Sequence, residues 1–160
     1  MLIKPFPKTE NIHALAIPFV GYSDLITANL YVLGKGPVTL VDTGPKLPGA
    51  LEFIQDRLNS RGLDFEDIER IIITHGHVDH FGLAAGIRTA VDRPIPCLIH
   101  LEDQWQTSGD FLDQRVWMDR LETIMALGGL PREEVEKIKK RFASFREMID
   151  PLDKLTILKG

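Results

Sequence analysis

Cysteine is nearly absent from this 160-residue chain, and the single Cys97 excludes any disulfide within it. Cys97 lies in the apolar run 95–99, which favours a small buried core residue over a nucleophile. No apolar run reaches the roughly 18 residues that a membrane-spanning helix requires, so we expect no membrane partner. The N-terminus also lacks the continuous apolar core of a signal peptide, and we expect a cytoplasmic protein.

Positive charge is not in excess either. Nineteen Lys and Arg residues against 23 Asp and Glu give a formal net charge of −4. Because nucleic-acid binding normally requires a basic patch, we expect no nucleic-acid partner. The composition, 44% hydrophobic and 26% charged, is that of an ordinary globular protein, and the length fits one domain over residues 1–160.

What the chain does contain is a concentration of histidine. Three of its five histidines lie in the stretch T-H-G-H-V-D-H at residues 74–80, directly after three β-branched residues that predict a short strand at 71–73, buried on both faces. Imidazole and carboxylate groups suit zinc and similar divalent ions. A polar loop that happens to be rich in histidine is the alternative, but this density after a buried strand favours a metal site. The candidate ligands are His75, His77, Asp79 and His80.

The rest of the pattern predicts an α/β protein. Apolar-rich segments at 12–20, 25–33 and 38–41 are joined by short turn signals, which predict an antiparallel meander. Helical spacing of apolar residues follows at 47–61 and 83–91, and strands are predicted at 95–99 and from residue 155 onward. A βαβαβ arrangement of this kind places ligands at the carboxyl ends of its strands.

Residues 101–150 have a different character and are predicted to be helical. Pro131 is placed to open its second helix, and Pro151 to end it. The stripes at helical spacing are more often core-facing than cofactor-binding, so we expect a hairpin packed on its own domain. Its apolar residues are Phe111, Leu112, Val116, Met118, Leu121 and Met125 before Gly128-Gly129, and Val135, Ile138, Phe142, Phe145 and Ile149 after it.

Residues 74–80 resemble the T-H-x-H-x-D-H signature of the metallo-β-lactamase-fold hydrolases, which include glyoxalase II, lactonases, β-lactamases and some ribonucleases. V-D-T-G at residues 41–44 resembles the other N-terminal hallmark of that family. The resemblance implies an αββα sandwich, of which this chain would supply the N-terminal αβ half and a helical insertion. It assigns His75 and His77 to one metal, and Asp79 and His80 to a second. A related flavodiiron branch has Glu at the position of His77. The histidine here therefore favours a zinc-type hydrolase over a redox di-iron centre.

The same resemblance places Asp42 beside the metals, where it would order their ligands; a simple turn cap is the alternative. It implies one or two Zn²⁺ ions, with iron or manganese as alternatives, that activate water for attack on a small ester, thioester or lactone, a glutathione-type thioester first. Asp79 would help to position that water. A metal-binding or assembly module without turnover, and half of a nuclease, are the rival interpretations.

The chain departs from the family after residue 160. Full members continue with a G-H-T-x-G-H-like segment, a bridging aspartate and a final histidine, so we expect an N-terminal fragment that binds metal weakly and hydrolyses little or nothing. We also expect it to pair with its own copy or with a missing C-terminal half. Trp105, Trp117 and Met118 are candidate pocket residues, since such an insertion commonly overhangs the site. His100 is conceivable as a ligand but is left out, and His13 is expected to be packed or on the surface.

Overall fold

A computed structural model of the chain describes residues 11–18, 27–107 and 115–159. Within these residues it forms one six-stranded sheet whose strands lie in chain order. The strands are β1 (Ile12–Pro18), β2 (Thr27–Leu33), β3 (Val38–Val41), β4 (Ile68–Ile72), β5 (Cys97–His100) and β6 (Thr156–Leu158). The first three pair antiparallel and the last four, from β3 to β6, pair parallel. The predicted meander followed by parallel strands is confirmed.

Five α-helices occur in the described residues. They are α1 (Ala50–Asn59), α2 (Val78–Phe81), α3 (Ala84–Thr89), α4 (Arg115–Leu127) and α5 (Arg132–Phe145), with 3₁₀ turns at Phe65–Asp67, Gln104–Thr107 and Arg146–Met148. The helix predicted over 83–91 corresponds to α3, and the short helix α2 before it lies outside the predicted range. The second helix of the insertion ends at Phe145 rather than at Pro151, because the chain tightens there into a 3₁₀ turn.

The strand predicted at 71–73 begins earlier and is not buried on both faces. β4 pairs with β3 from Ile68 onward, and the register shifts between Val38 and Thr39. Because of this irregularity both Glu69 and Arg70 are exposed between the buried Ile68 and the buried residue at 71. The next strand likewise begins at residue 97 rather than 95.

The core lies on one face of the sheet, beneath α1 and α3. Alternate strand residues point into it, as the two-residue period of a strand requires. They meet Ile54 and Leu58 of α1 and Ile87 of α3, all fully buried. Cys97 is fully buried in the same cluster, and burial raises the pKa of its thiol to about 11. Its predicted role as a core residue is confirmed. The inward strand residues include Leu15, Ile17, Leu30, Val32, Leu40, Ile71 and Ile99.

The opposite face of the sheet, which we call the open face, is only partly covered. Paired residues form a row across it, and Tyr31 in that row keeps 41% of its surface exposed. Ile12 at the edge of the same face is 47% exposed. The row runs through Ala14, Tyr31, Val41, Ile72, Leu98 and Thr156.

Helices α4 and α5 contact each other, and some of the apolar residues predicted at helical spacing are buried. Met125 and Val135 are buried, and an ion pair of 2.6 Å joins Lys139 Nζ to Glu122 Oε2 across the two helices. Leu127, in contrast, is 84% exposed at the end of α4. Phe111 and Leu112 lie outside the described residues. No helix in the described ranges is long and apolar enough to cross a membrane.

Candidate metal centre

The histidine motif lies where the parallel strands end. Asp42 follows β3, Thr74 follows β4 after one further residue, and the motif then enters α2. Since β3, β4 and β5 are parallel, their carboxyl ends meet at one edge of the sheet, the usual place for ligands in such sheets. Asp79 and His80 lie in α2, near the N-terminal end as the sequence predicted.

Asp42 is the buried anchor of this edge, with only 4% of its surface exposed. Its φ of +60° lies in the left-handed region, which aspartate tolerates better than most residues, and its amide donates to the carbonyl of Ile72 at 2.8 Å. One carboxylate oxygen, Oδ1, accepts the Thr74 amide at 2.8 Å. The other, Oδ2, accepts the Thr74 hydroxyl at 2.8 Å and lies 2.8 Å from Nδ1 of His80. One carboxylate therefore ties the end of β3 to both ends of the motif.

His80 is held through its ring and its backbone. When Nδ1 carries the proton donated to Asp42, the neutral ring presents its Nε2 lone pair, the form that binds a metal. The hydrogen bond to Asp42 raises the pKa of His80 above its usual value, against the opposing effect of burial. The amide and hydroxyl of Thr43 donate to the His80 carbonyl at 2.7 and 3.1 Å. His80 is thus oriented by the segment that follows β3.

The other candidate ligands lie beside this ring. The His75 ring centroid is 3.9 Å from that of His80 and 4.5 Å from that of His77. Asp79 Oδ2 lies 3.5 Å from Nε2 of His80. Burial, and then the neighbouring imidazoles of His80 and His77, lower the pKa of His75, which favours its neutral form. The structure therefore brings the four predicted side chains together, and their role as metal ligands stays a prediction.

Thr74 has a function that its place in the motif did not reveal. Its hydroxyl lies 2.8 Å from Asp42 Oδ2 and 3.0 Å from Nδ1 of His75. Because the hydroxyl proton is donated to Asp42, its lone pairs can accept from His75 Nδ1, leaving Nε2 of that ring as the free nitrogen. Thr74 thereby links the orientation of His75 to the same carboxylate that orients His80.

Gly82 follows the motif at a point where other stretches of backbone pass close to it, which we call the crossing. A Cβ at Gly82 would lie 2.3 Å from the Met148 carbonyl oxygen, 2.7 Å from that of Val78 and 2.8 Å from the Lys46 amide nitrogen. The Lys46 amide itself donates to the Met148 carbonyl at 2.7 Å. Only glycine fits this position, because three stretches of backbone approach it.

The residues present fit a divalent ion by the chemistry of their donors. Three imidazoles and a carboxylate are ligands that zinc prefers, and the buried Asp42 holds one imidazole in the metal-binding tautomer. Within the ranges the structure describes, however, no three His, Cys, Asp or Glu side chains are grouped so that they could hold one metal ion. The donors therefore suit a metal by their chemistry, while the described side chains are not arranged around a single ion.

The family model described as the metallo-beta-lactamase superfamily matches residues 24–156. The chain belongs to this superfamily. Its mixed α/β architecture with a six-stranded sheet agrees with the predicted fold class, and the superfamily's fold implies divalent metal binding. Members of the superfamily are generally hydrolases.

Two similar proteins show how much of a superfamily member the chain represents. The metallo-beta-lactamase family protein TTHA1429 from Thermus thermophilus is 28% identical, with a TM-score of 0.69 over 94% of this chain and 46% of that one. The probable metallo-hydrolase YqjP of Bacillus subtilis (strain 168) is 33% identical over 76 residues, 47% of this chain and 23% of the relative. The chain thus spans about half the length of the solved structure, in line with the expected N-terminal part.

The structure describes the remaining candidate residues mainly by their burial and local contacts. His100 ends β5, and its Nδ1 accepts the Glu102 amide at 3.3 Å, so it shapes the turn that follows. Trp105 is 53% exposed, and Met118 is half-buried on α4. The side chain of Trp117 lies outside what the structure describes. His13 is half-buried in β1.

Proposed function

We propose that this chain forms the metal-binding part of a hydrolase that acts on a small ester, thioester or lactone, with zinc as the metal and iron or manganese as alternatives. The observation that carries the proposal is the network in which Asp42 orients His80 directly and His75 through Thr74. A buried carboxylate that holds imidazoles by one ring nitrogen is the arrangement that prepares histidine ligands for a metal. Membership of the superfamily supports the reaction class.

Each residue of the centre has a proposed task. His75 and His77 would hold one ion, and Asp79 and His80 would contribute to a second. When bound, the metal supplies a Lewis acid for a scissile carbonyl and lowers the pKa of water to about 7. Asp79, whose carboxylate borders Nε2 of His80, would accept a hydrogen bond from the attacking water and orient it. Asp42 would keep the ligand rings in place without touching the metal.

Zinc titration by calorimetry tests the proposed centre. Replacing His77 with Ala should weaken zinc binding by at least about tenfold, since a direct ligand is lost. His13→Ala on β1, outside the motif, is the matched control and should leave zinc affinity unchanged. Equal losses from both variants would contradict the assignment, and an absence of zinc binding by the wild-type chain would refute the centre itself.

The small-substrate proposal has its own assay. We expect whatever zinc-dependent turnover is measured to be faster on a thioester, with a glutathione conjugate tested first, than on a phosphodiester, because the formal net charge of −4 disfavours polyanions. A cytoplasmic location, where such thioesters occur, is part of this proposal. Faster cleavage of RNA than of any ester, thioester or lactone would favour the nuclease alternative.

A non-catalytic metal-binding module is the second candidate, supported by the incomplete ligand set among the described residues. Catalytic zinc generally takes three protein ligands and water, whereas His75 and His77 are two. We therefore expect the purified 160-residue chain to show little or no zinc-dependent turnover. Robust turnover by the homogeneous chain would contradict this expectation and show that a further residue or a second copy completes the site.

We also propose that the open face of the sheet is covered in the functional assembly, by a second copy of the chain or by a C-terminal half. The support is the partial exposure of apolar residues such as Tyr31 and Ile12 on that face. Burying apolar surface contributes about 25 cal/mol per Å², so a few hundred Å² would supply several kcal/mol. Light scattering at micromolar concentration tests self-pairing, and the mass of a single chain would rule it out.

A further inference from the structure

The backbone between the first two motif histidines is held by a segment outside the motif. The amide of Gly76 donates to Oδ1 of Asp103 at 3.2 Å, although the two residues are 27 positions apart. Nε2 of Gln106 donates to the same oxygen at 3.3 Å. Asp103 is half-buried in the turn that follows β5, so its carboxylate faces the motif loop from the neighbouring strand.

Packing at Gly76 shows how closely this turn approaches the loop. Gly76 is buried, and a Cβ on it would lie 2.4 Å from Cβ of Gln106 and 2.9 Å from Cδ of the same side chain. The carbonyl oxygen of Asp103 would be 3.1 Å away. Separations this short are not tolerated between such atoms, so the residue between His75 and His77 must lack a side chain in this packing.

The turn that carries Asp103 is itself firmly attached. The Asp103 amide donates to the His100 carbonyl at 3.0 Å, and the Gln106 amide donates to the Asp103 carbonyl at 3.1 Å. At its end, Thr107 is fully buried, and its carbonyl accepts the Leu152 amide at 3.0 Å. The turn is therefore anchored at both ends and can act as a rigid support.

We propose that Asp103 is a positioning residue for the metal centre. By holding the Gly76 amide, its carboxylate sets the peptide planes on either side of Gly76 and hence the directions from which the His75 and His77 side chains leave the backbone. A loop fixed in this way loses less conformational freedom when its ligands engage an ion, so binding is stronger. The proposal rests on the proposed metal centre, and it concerns a residue well beyond the end of the motif in the chain.

Three single variants test it by zinc calorimetry and by hydrogen exchange of the metal-free chain. Asp103→Ala removes the acceptor and should weaken zinc binding about tenfold, the lower end of the range for groups that orient metal ligands. It should also speed exchange of the Gly76 amide. Asp103→Asn keeps a carbonyl oxygen for that amide and should stay close to wild type in both measurements. Glu102→Ala, in the same turn with an exposed side chain, is the control and should change neither.

A double-mutant cycle tests the packing on which the proposal depends. Gly76→Ala should weaken zinc binding, and adding Gln106→Gly should recover part of the loss, because the Cβ and Cδ atoms that the new methyl meets are then gone. Additive losses from the two changes would show that the turn does not restrict the loop, and would overturn the proposal.

The outcomes separate this inference from the function on which it rests. Wild-type affinity and wild-type Gly76 exchange in Asp103→Ala would overturn the positioning role and leave the metal centre standing. A loss shared equally by Asp103→Ala and Asp103→Asn, in step with a lower unfolding temperature, would show a general structural role instead. A wild-type chain without zinc affinity would overturn both.

Discussion

Replacing Asp42 with Asn changes one atom of the network and should convert His80 into the wrong tautomer. In the wild type, Oδ1 accepts the Thr74 amide while Oδ2 accepts the Thr74 hydroxyl and the proton on His80 Nδ1. An asparagine that keeps its oxygen on the Thr74 amide turns its NH₂ group toward the other two partners. The hydroxyl can rotate to accept, but His80 can pair with this amide only by moving its proton from Nδ1 to Nε2.

The substitution should have two separate effects, one on the free energy of unfolding and one on zinc affinity. One charge-assisted hydrogen bond to a buried carboxylate is lost or replaced by a neutral one, which should lower the free energy of unfolding by about 1.5–3 kcal/mol. Zinc binding suffers more specifically, because Nε2 now carries a proton that the metal must displace. Changes to such orienting partners cost about 10–100-fold in metal affinity.

Nitrogen-15 NMR of the histidine rings distinguishes tautomers directly, and urea denaturation and zinc calorimetry supply the two magnitudes. Asp56→Asn on the exposed side of α1 is the matched control and should alter none of the three. If Asp42→Asn keeps the proton of His80 on Nδ1, with stability and zinc affinity within error of wild type, then the carboxylate does not orient this ring and the reasoning fails.

Three further predictions follow from other parts of the fold. Because burial raises the pKa of the Cys97 thiol to about 11, iodoacetamide at about pH 8 should leave it unmodified in the folded chain, and rapid labelling would contradict its burial. The same raised pKa contributes stability that is present below the unfolded value of about 8.5 and lost as pH rises toward the folded value, so Cys97→Ala should flatten the decline of urea midpoints over that range. Gly82→Ala should destabilise the chain by about 3 kcal/mol, because the new methyl group would clash with three backbone atoms. Gly86→Ala in α3, where a Cβ meets nothing within 4 Å, is the control and should be neutral or stabilising. Equal urea midpoints for the two variants would refute the close backbone approach at Gly82.

The motif and the antiparallel meander could be predicted because their signals are local. Residues 74–80 carry their ligands within one short stretch of chain, and the short connections of the first three strands leave antiparallel pairing as the natural arrangement. The family resemblance points to Asp42 as a neighbour of the site, and the structure shows the contacts that it makes with Thr74 and His80.

The features that sequence reasoning missed depend on distant contacts. The register shift opposite Ile68 breaks the alternation from which strand limits are estimated, so the start of β4 was placed too late. Helix α2 was missed because it is a single turn of four residues, too short for apolar spacing to indicate, and it ends before Gly82, whose backbone is needed for the crossing with Lys46 and Met148. Nothing near Asp103 in the chain signals that its carboxylate reaches Gly76.

The crossing at Gly82 has an energetic consequence for the whole chain. Helix α2, which carries Asp79 and His80, cannot shift without moving either the segment after β3 or the segment that returns from the helical insertion at Met148. Any ligand that draws α2 into a particular position therefore favours one seating of that returning segment. By thermodynamic reciprocity, a partner that bound helices α4 and α5 and favoured the same seating of that segment would strengthen ligand binding at the centre by the same factor.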